Sequence, residues 1–469
     1  MRYLFIGLLL AIAILSCKTE ITNTAPTISD QDFSLVENPA KNYLIGRIAA
    51  TDPEGDKLSF AIVDGNTDNA FSINTNNGGL IVNSPEVFDF ETSPVFSLTI
   101  EVSDGNFSEH ASVKITLIDE FESTYPELGP CELKRVSSNW VGLGIPRLEG
   151  FTPSLGTVNM PVVFVDFDNV PATKTPEDVF SILQPAAPDF LDKVSYGRID
   201  LQLQPHFEWY RLSQSSSHYG FGLRDGAAHK AFIQEAVDSA DAEVDFSNAD
   251  AVLVVSNPDA MDIPIGPAFG AFNDFWAIKA DGNHMYNGVT SGYDLNHWGG
   301  IWLVHELGHT FTLPDLYDFA GGHGFVGGFS IMGNIGGEAP GFFAFERWMM
   351  GWLDDAQVFC HDQGEVVIHI DQLEGPGGTK AAIVPLDART ALVMECRRKE
   401  GVDLLMGEEG LLVYLVDTSI ETGNGPIKVL PNPQPDAPLA QGEEFNYKGI
   451  SIKVLQAEDK ADKVRIIVP

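Results

Sequence analysis

The residues best suited to chemistry form one short run, in which His305 and Glu306 are followed by His309. On a helix, residues four apart lie on the same face, so both imidazoles can reach one metal ion. Glu306, on the adjoining face, can then act as general base on a metal-bound water. The spacing predicts a zinc hydrolase centre with His305 and His309 as ligands and Glu306 as catalytic residue. The plain alternative is a helix with two surface histidines.

A catalytic zinc centre takes a third protein ligand and keeps one position open for water. Pro314 cannot continue the helix and favours an extended Leu313, so the chain must turn back near Thr312. This turn places Asp315, ten residues after His305, under the metal. Its alternative role is that of a turn-stabilising aspartate. Four other residues in range by sequence remain open as ligands: Asp318, His323, Glu338 and, for a differently arranged site, Glu346.

The run from His305 to Asp318 resembles the immune inhibitor A family of secreted bacterial zinc metalloproteases, which is metzincin-like. Further similar segments are Val194–Arg198, Trp209–Tyr210, Phe329–Gly333, Gly351–Trp352, Glu395–Arg397 and Gly410–Tyr414. The resemblance implies a zinc endopeptidase with Asp315 as third ligand and Met332 in a Met-turn beneath the metal. It assigns no oxyanion-stabilising residue, and Tyr317 is the nearest candidate for that role.

One position departs from the family pattern, because Thr312 stands where the family keeps glycine. Glycine there eases a turn with positive φ, which costs a β-branched residue about 1–2 kcal/mol. We therefore expect that either the turn is made differently or Asp315 is not the ligand.

Short apolar runs separated by turn clusters predict an all-β sandwich over residues 25–120. Carboxylates recur between those runs, and the pattern resembles a cadherin repeat over nearly its whole length. The resemblance implies calcium ligands at Glu37, Asp52, Glu54, Asp89, Glu91, Asp104 and Asp119. Only one repeat is present and its linker, residues 118–121, departs from the family pattern. A calcium-free sandwich with acidic loops remains the alternative.

The first 17 residues have the pattern of a lipoprotein signal peptide. A positive start precedes an apolar run over residues 4–15 that is too short to span a bilayer, and Ser16 precedes Cys17. This bacterial lipobox predicts lipidation of Cys17, a tether over residues 18–24 and an anchored location outside the cytoplasm, most simply at the outer membrane. An ordinary signal peptide is the alternative.

The remaining chain divides by pattern into three regions. Residues 121–158 are Pro- and Gly-punctuated and predict a connector or pro-segment, and residues 159–355 alternate strand and helix as an α/β or α+β catalytic domain. Residues 356–469 carry short period-two strands that predict an antiparallel β domain. Cys131, Cys360 and Cys396 allow at most one disulfide, whose pairing the sequence does not give. A Cys131 thiolate latching the metal site is a further alternative.

The charge balance, 28 basic against 66 acidic residues for a net charge of −38, argues against nucleic acid or anionic lipid as a partner. The leading interpretation is a multidomain, lipid-anchored zinc endopeptidase that acts on proteins or peptides. One alternative is an adhesion protein that contacts a surface protein or glycan through its cadherin-like module, with a non-proteolytic scaffold behind it. Another is a metallohydrolase for a different substrate.

Overall fold

The computed structural model describes residues 23–469 except for 38, 40, 89, 91–92, 119–128, 137–138, 221–222, 224 and 432–436. Cys17, Asp89, Glu91 and Asp119 therefore lie outside the described residues. The chain divides into two units, one up to Thr124 and one from Tyr125 onward. Within the part of the chain described here, no helix is long and apolar enough to cross a membrane.

The N-terminal unit is built from strands alone, apart from two single 3-10 turns. Its strands are β1 (Thr27–Ile28), β2 (Gln31–Val36), β3 (Leu44–Arg47), β4 (Ala50–Thr51), β5 (Ser59–Asp64), β6 (Phe71–Ile73), β7 (Gly79–Val82), β8 (Val95–Ser103) and β9 (Ser108–Ile118). The two larger sheets have the orders β2-β9-β8-β5, with β2 parallel to β9, and β3-β7-β6, and β1 pairs with β4 in a third, two-stranded sheet. The predicted all-β fold of this unit is confirmed.

Alternation along β8 explains how the two sheets share a core. Leu98, Ile100 and Val102 are buried, whereas the residues between them are partly exposed. The buried side chains meet Leu80 and Val82 of the second sheet. Period-two patterning of this kind gives a sheet one core face and one solvent face.

The larger unit contains seven helices and sixteen strands in its described part. The helices are α1 (Pro176–Leu183), α2 (Ala186–Val194), α3 (Ser216–Gly220), α4 (Gly226–Ala240), α5 (Leu295–Trp298), α6 (Trp302–Thr310) and α7 (Ala344–Met349). The strands are β10 (Gly156–Asp166), β11 (Ile199–Arg211), β12 (Val252–Ser256), β13 (Ala268–Gly270), β14 (Ile278–Ala280), β15 (Asn283–Met285), β16 (Asn287–Ser291), β17 (Val358–Cys360), β18 (Gly364–Asp371), β19 (Ala381–Pro385), β20 (Thr390–Arg397), β21 (Gly410–Asp417), β22 (Ile427–Val429), β23 (Glu444–Tyr447), β24 (Ile450–Ala457) and β25 (Ala461–Val468).

The first sheet of this unit is sandwiched between helices. Its order is β11-β10-β12-β16-β13, with four parallel strands and an antiparallel edge strand, β13. On β10, Val162 and Phe164 pack in the core that contains α1, α2 and α6, whereas Val163 and Val165 pack against α4. Burial of β10 on both faces explains why its sequence is a continuous apolar run rather than an alternating one.

Two further sheets form the C-terminal region, in the orders β17-β19-β20-β21-β22 and β18-β25-β24-β23. All their strand pairs are antiparallel except β17 with β19, which is parallel. The predicted antiparallel pairing is therefore found at every strand pair described in this region except this one. Along β20, Leu392 and Met394 face the other C-terminal sheet, whereas Ala391 and Val393 belong to the same core as α6.

Residues before β10 belong to the same core. Cys131, Leu133 and Leu143 are buried among the side chains of the first sheet and its helices, although the sequence predicts a connector there. A disulfide joins Cys131 to Cys360, and Cys396 is a buried free thiol. The alternative in which a free Cys131 thiolate latches the metal site is therefore wrong, because its sulfur is already bonded.

Candidate metal centre

Helix α6 carries the two histidines and starts directly after a 3-10 turn at Gly299–Ile301. Its apolar residues Leu303 and Leu307 are fully buried in the core shared with the first sheet. The opposite side of α6 presents His305 and His309 to the cleft. Packing thus fixes one face of α6, and the other face presents the two histidines to the cleft.

Three potential metal donors come together at α6. Asp315 Oδ1 lies 3.4 Å from His305 Nε2 and 3.2 Å from His309 Nε2, and these side chains are only 7–13% exposed. Ligand atoms about 2.0–2.1 Å from a tetrahedral zinc ion are ~3.3 Å apart. Asp315 Oδ1 is buried and makes no hydrogen bond among the described residues. The donor set and its spacing therefore fit a zinc ion.

Backbone carbonyls fix the orientation of both imidazoles. His305 Nδ1 lies 2.8 Å from the carbonyl oxygen of Ile331, and His309 Nδ1 lies 2.9 Å from that of Leu313. A carbonyl oxygen can only accept, so each Nδ1 must carry the proton and donate it. Each Nε2 then faces Asp315 Oδ1 and can bind a metal once it has lost its proton, an arrangement typical of metal-ligating histidines.

A residue from the C-terminal region holds the third donor. The Asp315 N–H donates to Thr422 Oγ1 at 2.9 Å, and that hydroxyl donates to Asp315 Oδ2 at 3.3 Å. The Gly423 N–H also donates to the carbonyl oxygen of Asp315 at 3.0 Å. Sequence reasoning missed Thr422, since it lies 107 residues away with no local motif.

Thr312 makes a positive-φ turn at the position where the immune inhibitor A family has glycine. Its φ is +76° and it is fully buried. Its N–H donates to the His309 carbonyl at 2.7 Å, and its carbonyl accepts from the Gly142 N–H at 2.8 Å. The first alternative, a turn made differently, is therefore wrong. The chain keeps the positive-φ turn, and the surrounding hydrogen bonds and packing hold a threonine in it.

Met332 lies beneath α6, fully buried. A Cβ added at Gly308 would come within 2.4 Å of the Met332 sulfur, so the glycine directly before His309 is needed for this close approach. The Met332 N–H donates to Ser330 Oγ at 3.2 Å, and Ser330 Oγ donates to Glu346 Oε2 at 3.1 Å. These hydrogen bonds fix the segment that contains Ile331, whose carbonyl oxygen accepts the hydrogen bond from His305 Nδ1.

Glu306 is held by the edge strand of the first sheet. Its Oε2 accepts from the Ala268 N–H at the start of β13 at 2.8 Å, which leaves Oε1 for the cleft. Burial raises the pKa of Glu306, although the charges of His305 and His309 act to lower it. A carboxyl group with a raised pKa is a better general base near neutral pH than an ordinary glutamate.

The other two charged groups shift in opposite directions. Burial acts to lower the pKa of His309, but the carboxylates of Asp315 and Glu306 raise it to about 9. Burial acts to raise the pKa of Asp315, but the charges of His309 and His305, whose Nε2 atoms face its Oδ1, bring it well below its usual range. The two imidazoles thus stabilise an ionised Asp315, which is the protonation state that a metal ligand requires.

An open cleft of about 890 Å³ lies over the donors. Five aromatic residues line it: Trp140, Trp298, Trp302, Tyr317 and Phe319. The Tyr317 ring lies 6.4 Å from the ring of His305, so the proposed oxyanion candidate is at the centre but not among its donors. A cleft that combines apolar walls with convergent polar side chains is typical of a substrate site.

The four other residues that the sequence left open as ligands do not join the three donors. Asp318 and His323 line the cleft, and His323 Nδ1 lies 2.6 Å from the carbonyl oxygen of Gly333. Glu338 is exposed and does not line it. Glu346 is fully buried and accepts from the N–H of Phe343 at the start of α7, so it serves as a helix cap. None of these four joins the group of donors at His305 among the residues described.

The carboxylates implied as calcium ligands are spread through the loops of the N-terminal unit. Glu37 is buried and accepts from the Phe90 N–H at 2.8 Å. Asp52 Oδ1 accepts from the Glu54 N–H at 2.9 Å, and Asp104 Oδ2 accepts from an asparagine amide at 2.8 Å. No three acidic or histidine side chains of the described N-terminal residues converge on one point.

Comparison with known proteins concerns the N-terminal unit. The cadherin domain family model matches residues 31–118. The fat-like cadherin-related tumor suppressor homolog of Drosophila melanogaster is 34% identical over 91 residues, which are 19% of this chain and 2% of that protein. Human cadherin-24 is 31% identical over 131 residues, covering 22% of this chain and 16% of that protein. A solved structure of protocadherin gamma B2 extracellular cadherin domains 3–6 matches at 23% identity with a TM-score of 0.19, covering 20% of this chain and 23% of that chain.

These relatives are long proteins of which the chain spans a small part, and their similarity leaves the metal donors of the larger unit unaddressed. The family match and the strand-only architecture agree for the N-terminal unit. Residues 31–118 are a cadherin domain.

Proposed function

We propose that the larger unit is a zinc-dependent endopeptidase and that the chain is anchored by lipid outside the cytoplasm. The observation that carries the proposal is the convergence of His305 Nε2, His309 Nε2 and Asp315 Oδ1 at the spacing of zinc ligands. The donors open onto a cleft large enough for a peptide. Glu306 stands beside them on the same helix, with one oxygen anchored and one available.

The chemistry divides between the ion and the protein. A zinc ion in such a site polarises a scissile carbonyl and lowers the pKa of a bound water. Glu306 Oε1 takes a proton from the attacking water and delivers it to the nitrogen of the leaving amine. Ala268 keeps Glu306 in position through its N–H, and the Ile331 and Leu313 carbonyls keep the histidine rings from turning away.

We further propose that this unit is related to the immune inhibitor A-like, metzincin-like proteases that its sequence resembles. Two observations support the relationship. Asp315 approaches both histidines, and Met332 packs beneath Gly308.

A digest of casein by the full chain tests the function. The wild-type protein should cleave casein, lose this activity with a zinc chelator and regain it with zinc. Glu306→Ala should abolish cleavage but retain one zinc ion per chain, because Glu306 is not among the three donors. Glu338→Ala is the matched control, since Glu338 is exposed outside the cleft and its loss should leave activity unchanged. Cleavage that persists in Glu306→Ala would end the proposal.

A second function, surface adhesion through the N-terminal unit, is favoured by the cadherin domain at residues 31–118. In that case the larger unit would be a scaffold that contacts no substrate. Metal analysis separates the possibilities: no zinc favours adhesion alone, whereas zinc without proteolysis favours another hydrolase. Calorimetric titration of calcium into the chain tests whether the acidic loops of the cadherin domain bind that ion.

The proposed location rests on the sequence around Cys17 and on the similarity to extracellular cadherin domains. Mass spectrometry of the protein extracted from membranes would identify diacylglycerol on the thiol of Cys17. Release of the Cys17→Ser variant into the soluble fraction is the expected companion result.

A further inference from the structure

We propose, resting on the proposed function, that three rings beside the metal centre select substrates with an aromatic residue near the scissile bond. The rings belong to Trp140, Phe151 and Phe272, which we call the aromatic wall. Trp140 lines the cleft and its ring lies 6.4 Å from that of His309, so the wall begins at a metal donor.

The wall is a continuous series of ring contacts. Trp140 and Phe151 stack at 6.0 Å with an interplanar angle of 16°, and Phe151 meets Phe272 edge-on at 6.3 Å and 89°. Offset-stacked and edge-on pairs are the favoured arrangements of aromatic rings. The wall therefore has a defined shape and can order a further ring against itself at little entropic cost.

The edge strand of the first sheet supports the wall. A Cβ at Gly270 on β13 would come within 2.5 Å of the Trp140 ring, so the ring lies flat on the strand at this position. Phe272 follows two residues later, beyond the end of β13. From Trp140 to Phe272 the wall extends over at most about 12 Å, which equals three or four residues of an extended peptide.

Exposure of the outer ring points to an aromatic occupant. Phe151 is buried, but Phe272 is 61% exposed, and through Phe151 it continues the series of rings that starts at Trp140 in the cleft. A substrate ring laid against Phe272 removes apolar area of both rings from water. A charged side chain gains no ion pair from these three residues, since none of them carries a charge.

The inference can be tested with a set of peptides. Each carries one phenylalanine, placed in turn at each of the four positions on either side of the casein-derived cleavage site. The measured quantity is the ratio of kcat/KM for each peptide to that of its alanine counterpart. One position should give a ratio well above one in the wild type. Phe272→Ala should lower that ratio about two- to tenfold, the range of one aromatic contact. Phe275→Ala is the matched control, because Phe275 is 75% exposed nearby but its ring contacts Trp276 instead.

A ratio that is unaffected by Phe272→Ala, or a wild type without aromatic preference, overturns the inference while leaving the protease intact. Calorimetric binding of the same peptides to the Glu306→Gln chain gives a readout that does not require catalysis. If the phenylalanine peptide binds more tightly than its alanine counterpart and Phe272→Ala abolishes this difference, the aromatic wall is supported even if no peptide is cleaved. In that case only the proposed function fails. Equal binding of both peptides overturns the wall.

Discussion

The threonine held at positive φ beside the metal centre can be tested by comparing alanine with glycine at two positions. Thr312 has a φ of +76°, whereas Thr310, two residues earlier, is the last residue of α6 and has a negative φ. Both are fully buried. We expect Thr312→Gly to be more stable than Thr312→Ala, and Thr310→Gly to be less stable than Thr310→Ala.

The magnitudes follow from the backbone. An L-residue in the left-handed region costs about 1–2 kcal/mol, and glycine escapes this cost but loses about 0.5–1 kcal/mol of chain entropy on folding. Thr312→Gly should therefore exceed Thr312→Ala by ~1 kcal/mol in free energy of unfolding. At Thr310, whose φ is negative, glycine avoids no strain and only loses about 0.5–1 kcal/mol of chain entropy, so the order reverses there. Because both members of each pair lack the hydroxyl and the methyl group, those losses cancel to first order.

Tryptophan fluorescence during urea unfolding is the suitable assay. All seven tryptophans lie between residues 140 and 352, so the signal reports the larger unit and not the cadherin domain. The four variants should be compared at a fixed concentration of zinc chelator, so that metal binding does not contribute. If Thr312→Gly proved no more stable than Thr312→Ala, the argument that the turn stores backbone strain would be refuted.

Three further predictions concern groups that hold the centre. Thr422→Ala should weaken zinc binding about 10–100-fold in a competition titration with a chelating dye, whereas Thr422→Ser should restore it, because the hydroxyl orients Asp315. Burial raises the pKa of Glu346 to about 8, so the folded chain keeps a proton that the unfolded chain loses near 4.5. Raising the pH between these values should destabilise the wild type by up to about 1.4 kcal/mol per unit more than Glu346→Gln, and equal slopes in urea unfolding would contradict this. Cys360→Ser should lower the free energy of unfolding by about 2–5 kcal/mol, since the disulfide with Cys131 closes a long loop; an unchanged midpoint would count against it.

Local patterns predicted the elements whose signals are local. The apolar run at Val162–Phe167 predicts a strand, and the structure has one at Gly156–Asp166. The helical spacing at 227–240 is likewise confirmed by α4, which Asp225 caps by accepting two backbone N–H groups. Helices α1 and α2 were not predicted, because prolines interrupt their apolar pattern. The Thr175–Pro176 pair that begins α1 was the available signal, since both residue types are typical of a helix start.

The candidate site likewise contains some residues that a local pattern predicts and others that it does not. His305, Glu306, His309 and Asp315 fall within eleven residues, so helix geometry and one turn suffice to bring them together. Thr422 and the Ala268 N–H that anchors Glu306 reach the site only through tertiary packing. No periodicity or motif in one sequence encodes such distant partners, and neither could have been identified without the structure.

The core shared by α6 and the C-terminal sheets also limits how this chain can be divided. Leu412 and Tyr414 of β21 are buried together with Leu307 of α6, and Thr422 holds Asp315 from the loop beyond β21. A chain ending at residue 355 would expose that apolar core to water and leave Asp315 without its orienting hydroxyl. Gene rearrangements that add or exchange domains can therefore cut the chain near residue 124. They cannot cut it between α6 and the C-terminal sheets without loss of this core. In evolutionary terms, residues 125–469 should be inherited whole.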